Sequence, residues 1–119
     1  MEKRLLELLV TPDFRGKTAM YIGEKKLSIL QGFLHGFYYA SSVYNVHDKL
    51  AEPDFGRFHD WVAVYYGRVV DGRINSVPGW KNIIIEECKG QEELAVDVFF
   101  ELYDKFRSEG IGNLKQFET

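Results

Sequence analysis

Cysteine occurs once in this chain of 119 residues, at Cys88, so an internal disulfide is excluded and a reducing, cytoplasmic setting is expected. Long apolar runs are missing as well. No stretch approaches the roughly 20 residues needed to cross a bilayer, so no membrane partner is expected. Leu5, Leu6, Leu8, Leu9 and Val10 are interrupted by Glu7 and followed by no small-residue cleavage site, which argues against a secretory signal. An excess of positive charge is also lacking. The formal net charge is -3, and Lys and Arg do not cluster as contact with a nucleic-acid backbone requires, so no nucleic-acid partner is expected.

Motifs that carry chemistry are equally scarce. Gly16-Lys17-Thr18 lacks the upstream glycine and preceding strand of a phosphate loop, and Gly-x-Ser-x-Gly is absent. The Glu-x-x-His pairs of di-iron bundles do not occur. Histidine stands at His35, His47 and His59. His47-Asp48 and His59-Asp60 are chain neighbours, and residues i and i+1 on a helix point in different directions, so adjacency makes no dyad. Cys88 falls on an apolar face and reads as a small core residue rather than a nucleophile. No catalytic residue, metal ligand or cofactor site is expected, and the chain reads as non-enzymatic.

Aromatic and aliphatic residues at helical spacing are what the chain does have. Nine Phe and seven Tyr against two Met point to an interior of large, well-fixed side chains. The length fits one domain over residues 1–119 with a single core. A first helix is expected from about Glu2 to Val10, ended by Thr11-Pro12-Asp13, then a loop through Gly16 to Gly23. A long helix follows from about Glu24 to Asn45, with Leu27, Leu30, Leu34, Phe37, Ser41 and Tyr44 as its apolar stripe. Along it Ser28, Gly32, Gly36 and Ala40 fall four apart. Glycine inside a helix costs roughly 1 kcal/mol, so this stripped ridge is expected to be buried beside the stripe, with another helix seated in it.

Asp54 is a candidate cap for a short aromatic helix with Phe55, Phe58, Val62 and Tyr65 on one face and Gly67 as its stop. Asp71-Gly72 suits a type I′ turn. The helical surroundings nevertheless favour a plain loop there, leaving a short β-hairpin near residues 68–75 as the alternative. Ser76 and Pro78 mark the next helix start, with Pro78 in the first turn and Trp80, Ile83, Ile84 and Cys88 facing one way. The last helix runs from about Gln91 to Glu109, with Leu94, Ala95, Val98, Phe99, Leu102 and Phe106 inward and Gly110 closing it. Ile111, Leu114 and Phe117 can fold back. The expected class is all-α: a single-domain bundle of about five helices.

Acidic residues outweigh basic ones from Trp80 onward. Glu86, Glu87, Glu92, Glu93, Asp97 and Glu101 are either solvated helix faces or an acidic surface for a basic protein partner. Tyr38, Tyr39, Tyr65 and Tyr66 are either core-edge residues or anchors in the same surface.

Several short segments carry a resemblance. They are Met20-Tyr21-Ile22-Gly23 with Ser28, Gly36-Phe37, Phe58-His59-Asp60-Trp61-Val62, Gly79-Trp80 with Ile83-Ile84, and Phe99-Phe100-Glu101-Leu102-Tyr103 with Phe106. Together they resemble a set of small bacterial helical proteins similar to immunity proteins encoded beside polymorphic toxins. The chain departs from that pattern at Lys17-Thr18-Ala19, where Arg-Pro usually precedes the Met-Tyr pair. The resemblance implies a cytoplasmic protein that neutralises a cognate toxin by stoichiometric binding. The alternative is a small structural or regulatory module that self-associates, its partner being a second copy.

Overall fold

Thr11 opens the first helix of the described structure. The computed structural model describes residues 9–43 and 55–117, without the side chains of residues 37, 38 and 41–43. The helix expected over Glu2–Val10 therefore lies mostly outside the described residues, as do Tyr44, His47 and Asp54. Thr11 has extended backbone and its Oγ1 accepts from the Phe14 N–H, while Pro12 sits at the helix start where a missing N–H costs nothing. Helix α1 is Pro12–Gly16 and helix α2 is Thr18–Ile22, closed by Gly23 at φ +98°. These two helices occupy the stretch expected to be a loop. Each has only five residues, too few for a repeating apolar period to show.

Helix α3, Leu27–Val43, buries Leu27, Leu30 and Leu34 as expected. Its small ridge is a correction. Gly32, Gly36 and Ala40 are exposed, and a Cβ added at either glycine would meet nothing within 4 Å. The reason is angular. Gly32 stands two residues from both Leu30 and Leu34, hence about 200° round the helix from each, so ridge and stripe lie on opposite sides.

A 3₁₀ turn at Phe55–Arg57 leads into α4, Phe58–Tyr65. A hairpin then takes the place of the loop that the helical surroundings favoured. Strand β1, Val69–Val70, pairs antiparallel with β2, Arg73–Ile74, in the register Val69↔Ile74 and Val70↔Arg73. Asp71 and Gly72 both have positive φ, 52° and 73°, the type I′ requirement, so the local turn chemistry prevails over the surroundings.

Helix α5, Trp80–Glu87, begins after Gly79, so Pro78 precedes the helix instead of entering its first turn. Helix α6, Glu92–Glu109, ends at Gly110 with φ +71°. Its buried face differs from the expected stripe: Leu94 is 46% exposed, whereas Val96, Phe100 and Tyr103 are buried along with Ala95, Phe99, Leu102 and Phe106. Helix α6 packs against α3, α4 and α5 together, so its inward face is wider than a single-partner stripe. A second 3₁₀ segment, Gly112–Phe117, folds back against α4 and buries Leu114.

Phe58 is the hub of the core. Phe55, Trp61, Trp80, Phe99, Tyr103 and Phe106 place ring centroids 5.1 to 6.3 Å from it, mostly edge to face. Such pairs add about 0.5–1.5 kcal/mol each beyond area burial. The described chain is thus a mostly helical globule with one small sheet. No helix of the described residues is long and apolar enough to cross a membrane.

Candidate functional site at the junction of α4, α5 and α6

Gly67 ends α4 in the left-handed region at φ +71°, allowing the chain to turn back so that the Arg68 N–H donates to the Ala63 carbonyl at 2.8 Å. This stop leaves Tyr65, Tyr66 and Arg68 together at one end of the helix. Tyr65 is 46% exposed, stacks on Trp61 at 5.5 Å and meets the Tyr66 ring edge-on at 5.0 Å. The Lys105 ammonium, from α6, lies 5.4 Å from the centre of the Tyr65 ring.

The acids come from two other helices. Glu86 and Glu87 end α5, where carboxylates oppose the helix dipole. Arg68 offsets this: its Nη2 donates to Glu86 Oε2 at 2.9 Å and lies 3.4 Å from Glu87 Oε1. The Arg68 Nε is buried without a hydrogen-bond partner, so the guanidinium holds both acids through one nitrogen instead of forming a fork. Burial pushes the Tyr66 hydroxyl up to about 12, and the charges of Cys88, Tyr65, Glu87 and Glu101 add to the rise. That coupling places Glu101 of α6 within electrostatic reach of the same corner.

Tyr65, Tyr66, Glu86 and Glu87 are therefore brought together around Arg68, with Lys105 over Tyr65 and Glu101 within electrostatic reach of Tyr66. The remaining expected residues go elsewhere. Glu93 is exposed, and Asp97 pairs with Lys25 at 2.8 Å. Glu92 is an internal cap: its Oε1 accepts from the Ser28 N–H at 2.9 Å, in the first turn of α3, and those Ser28 hydrogen bonds hold its carboxyl below the ordinary range against partial burial. Tyr39 is 69% exposed on α3, and the Tyr38 side chain lies outside the described residues.

Arg68 and Lys105 were not singled out by the sequence. Arg68 follows a helix stop and Lys105 sits among acids, so neither belongs to a charge pattern. Among the described residues no group of three or more His, Cys, Asp or Glu side chains converges in a way that could hold a metal ion. His35 is exposed, His59 accepts a hydrogen bond from the Trp80 N–H, and Cys88 is buried with its thiol pushed up by burial and by Glu87. No known protein family, curated protein or solved structure matches this chain.

Proposed function

We propose that this chain is a non-enzymatic, cytoplasmic protein-binding domain of a bacterium, an immunity protein that neutralises a cognate toxin by stoichiometric binding. The observation that carries the reading is the corner where Tyr65 and Tyr66 stand near Glu86 and Glu87, with Glu101 within electrostatic reach. A half-exposed Tyr65, backed by the partly buried Tyr66 and flanked by carboxylates, supplies both an anchor and a steering field for a basic partner. Carboxylates facing a nuclease would imitate the phosphates of its substrate and speed encounter. The resemblance in the short segments supports the same assignment.

The gene immediately upstream is expected to encode a large toxin-like protein, and co-expression with it tests the reading. Growth is expected to be rescued by the wild-type chain, and Tyr65→Ala combined with Glu87→Lys is expected to weaken binding at least about tenfold, the scale of one hot-spot residue. Soluble wild-type protein that fails to rescue would count against immunity. Rescue and binding unchanged in the double variant would count against this corner.

A second reading, self-association, is favoured by one specific observation: the face of α3 bearing Gly32 and Gly36 is open, with Phe33 and Tyr39 exposed on the same helix. Light scattering separates the readings. A dimer lost on Gly36→Leu would make the partner a second copy.

A further inference from the structure

We propose that His59 is a proton-sensitive anchor for the start of α5. The Trp80 N–H, in the first turn of α5, donates to His59 Nδ1 at 3.1 Å. Gly79 occupies the cap position with no side chain to accept, and at φ +116° it lies against the imidazole, so that an added Cβ would sit 3.4 Å from ring atoms. The imidazole from α4 therefore takes the place that a Ser or Asp side chain fills at most helix starts. An accepting Nδ1 carries no proton, so the neutral ring has its hydrogen on Nε2. A further proton can then go only to Nδ1, the atom already accepting.

Protonation thus turns the cap into a donor facing a donor, and sets a positive charge at the positive end of a helix dipole. The charged and titratable groups on the described elements meeting there are Arg57 and Asp60 beside His59, Lys81 beside Trp80, and Tyr103 of α6, whose ring packs on Phe55 and Phe58. Lys81 acts on Glu92, so a carboxylate of α6 also lies within reach of that turn. Trp80 itself packs on Phe55, Phe58 and Phe99, and α5 ends at Glu86 and Glu87. Releasing its first turn therefore loosens the helix that presents Glu86 and Glu87. The inference does not depend on that corner binding anything, because it is read on the isolated chain.

Nitrogen NMR and amide exchange on the full chain, from about pH 8 to about pH 5, test it. At the upper end His59 is expected in the Nε2–H tautomer. As it titrates, protection of the Trp80 amide, corrected for intrinsic exchange, is expected to fall about tenfold, the worth of one hydrogen bond. Protection of the Phe99 amide should hold. His59→Asn places a non-titrating acceptor near the Nδ1 position and should keep Trp80 protection level across the range. An Nδ1–H tautomer at the upper end would overturn the proposal, as would Trp80 protection that stays level while His59 titrates. Equal losses at Trp80 and Phe99 would do the same, since they mean general loosening. Where the Asn variant folds poorly, the wild-type tautomer and exchange readings decide alone.

Discussion

Removing the ring of Phe58 should cost this protein a large part of its stability. Phe58 is fully buried, and six aromatic rings surround it within 6.3 Å. Phe→Ala in a core costs about 3–5 kcal/mol, the spread depending on how far the surroundings collapse into the cavity. Here they collapse little, because the neighbours are planar rings drawn from the 3₁₀ turn, α4, α5 and α6 and held by one another. The upper part of that range, about 4–5 kcal/mol, is therefore expected for Phe58→Ala. Domains have only about 5–15 kcal/mol in total, and for this size the loss corresponds to a fall in Tm of roughly 12–20 °C. Urea unfolding measures it: the midpoint should drop with the slope unchanged, since the surface exposed on unfolding hardly alters. Tyr39→Ala, on a side chain 69% exposed, is the control and should stay within about 0.5 kcal/mol. A loss below about 1.5 kcal/mol for Phe58→Ala would refute the hub.

Three further outcomes follow from the polar contacts. Arg15 grips Asp104 through two nitrogens at 2.8 and 2.6 Å, donates from Nε to the Leu9 carbonyl at 2.6 Å and lies over the Phe100 ring. A double-mutant cycle of Arg15→Ala and Asp104→Ala should give a coupling of about 1 kcal/mol, because the Asp104 carboxylate is half exposed to solvent, and zero coupling would show that the grip adds nothing. The Arg15 hydrogen bond and charge, with a smaller contribution from Arg107, hold the Asp104 carboxyl below its ordinary 3.8, and Ser28 holds that of Glu92 below 4.5. With native values depressed, their stabilisation is complete above the unfolded values and is lost as pH falls through the native ones. Denaturation midpoints should therefore decline from about pH 4.5 downward, less steeply in an Asp104→Asn, Glu92→Ala variant, and equal slopes would sink this account. Cys88 is only 7% exposed, with its thiol raised, so Ellman-type labelling of the native protein near neutral pH should run at least about a hundredfold slower than for a free thiol. Labelling at the free-thiol rate would mean that the α5–α6 junction is open.

Where local rules apply, the sequence was readable. Leu27, Leu30 and Leu34, the Trp80–Cys88 face and the Gly67 and Gly110 stops follow from helical spacing and from the backbone freedom of glycine, both properties of a few consecutive residues. One local signal is stronger than its surroundings: Asp71-Gly72 carries the hairpin by itself. Thr11-Pro12, expected to end a helix, also starts one. The candidate site was legible only in part. Tyr65, Tyr66, Glu86, Glu87 and Glu101 were recognisable as surface chemistry, but Arg68 and Lys105, which hold them, belong to no motif.

By itself the sequence determined the helical class, the course of α3, α4 and α6 and the aromatic character of the core, because periodicity and turn chemistry act over a single element. Tertiary structure alone decided which faces meet: that Glu92 caps α3, that His59 caps α5, that α6 meets three helices, and that the Gly32–Gly36 ridge stays open. Each of these depends on the placement of one element against another, with contacts between residues such as Ser28 and Glu92 that lie 64 positions apart. Spacing along one helix states which residues share a face. It does not state what that face will touch.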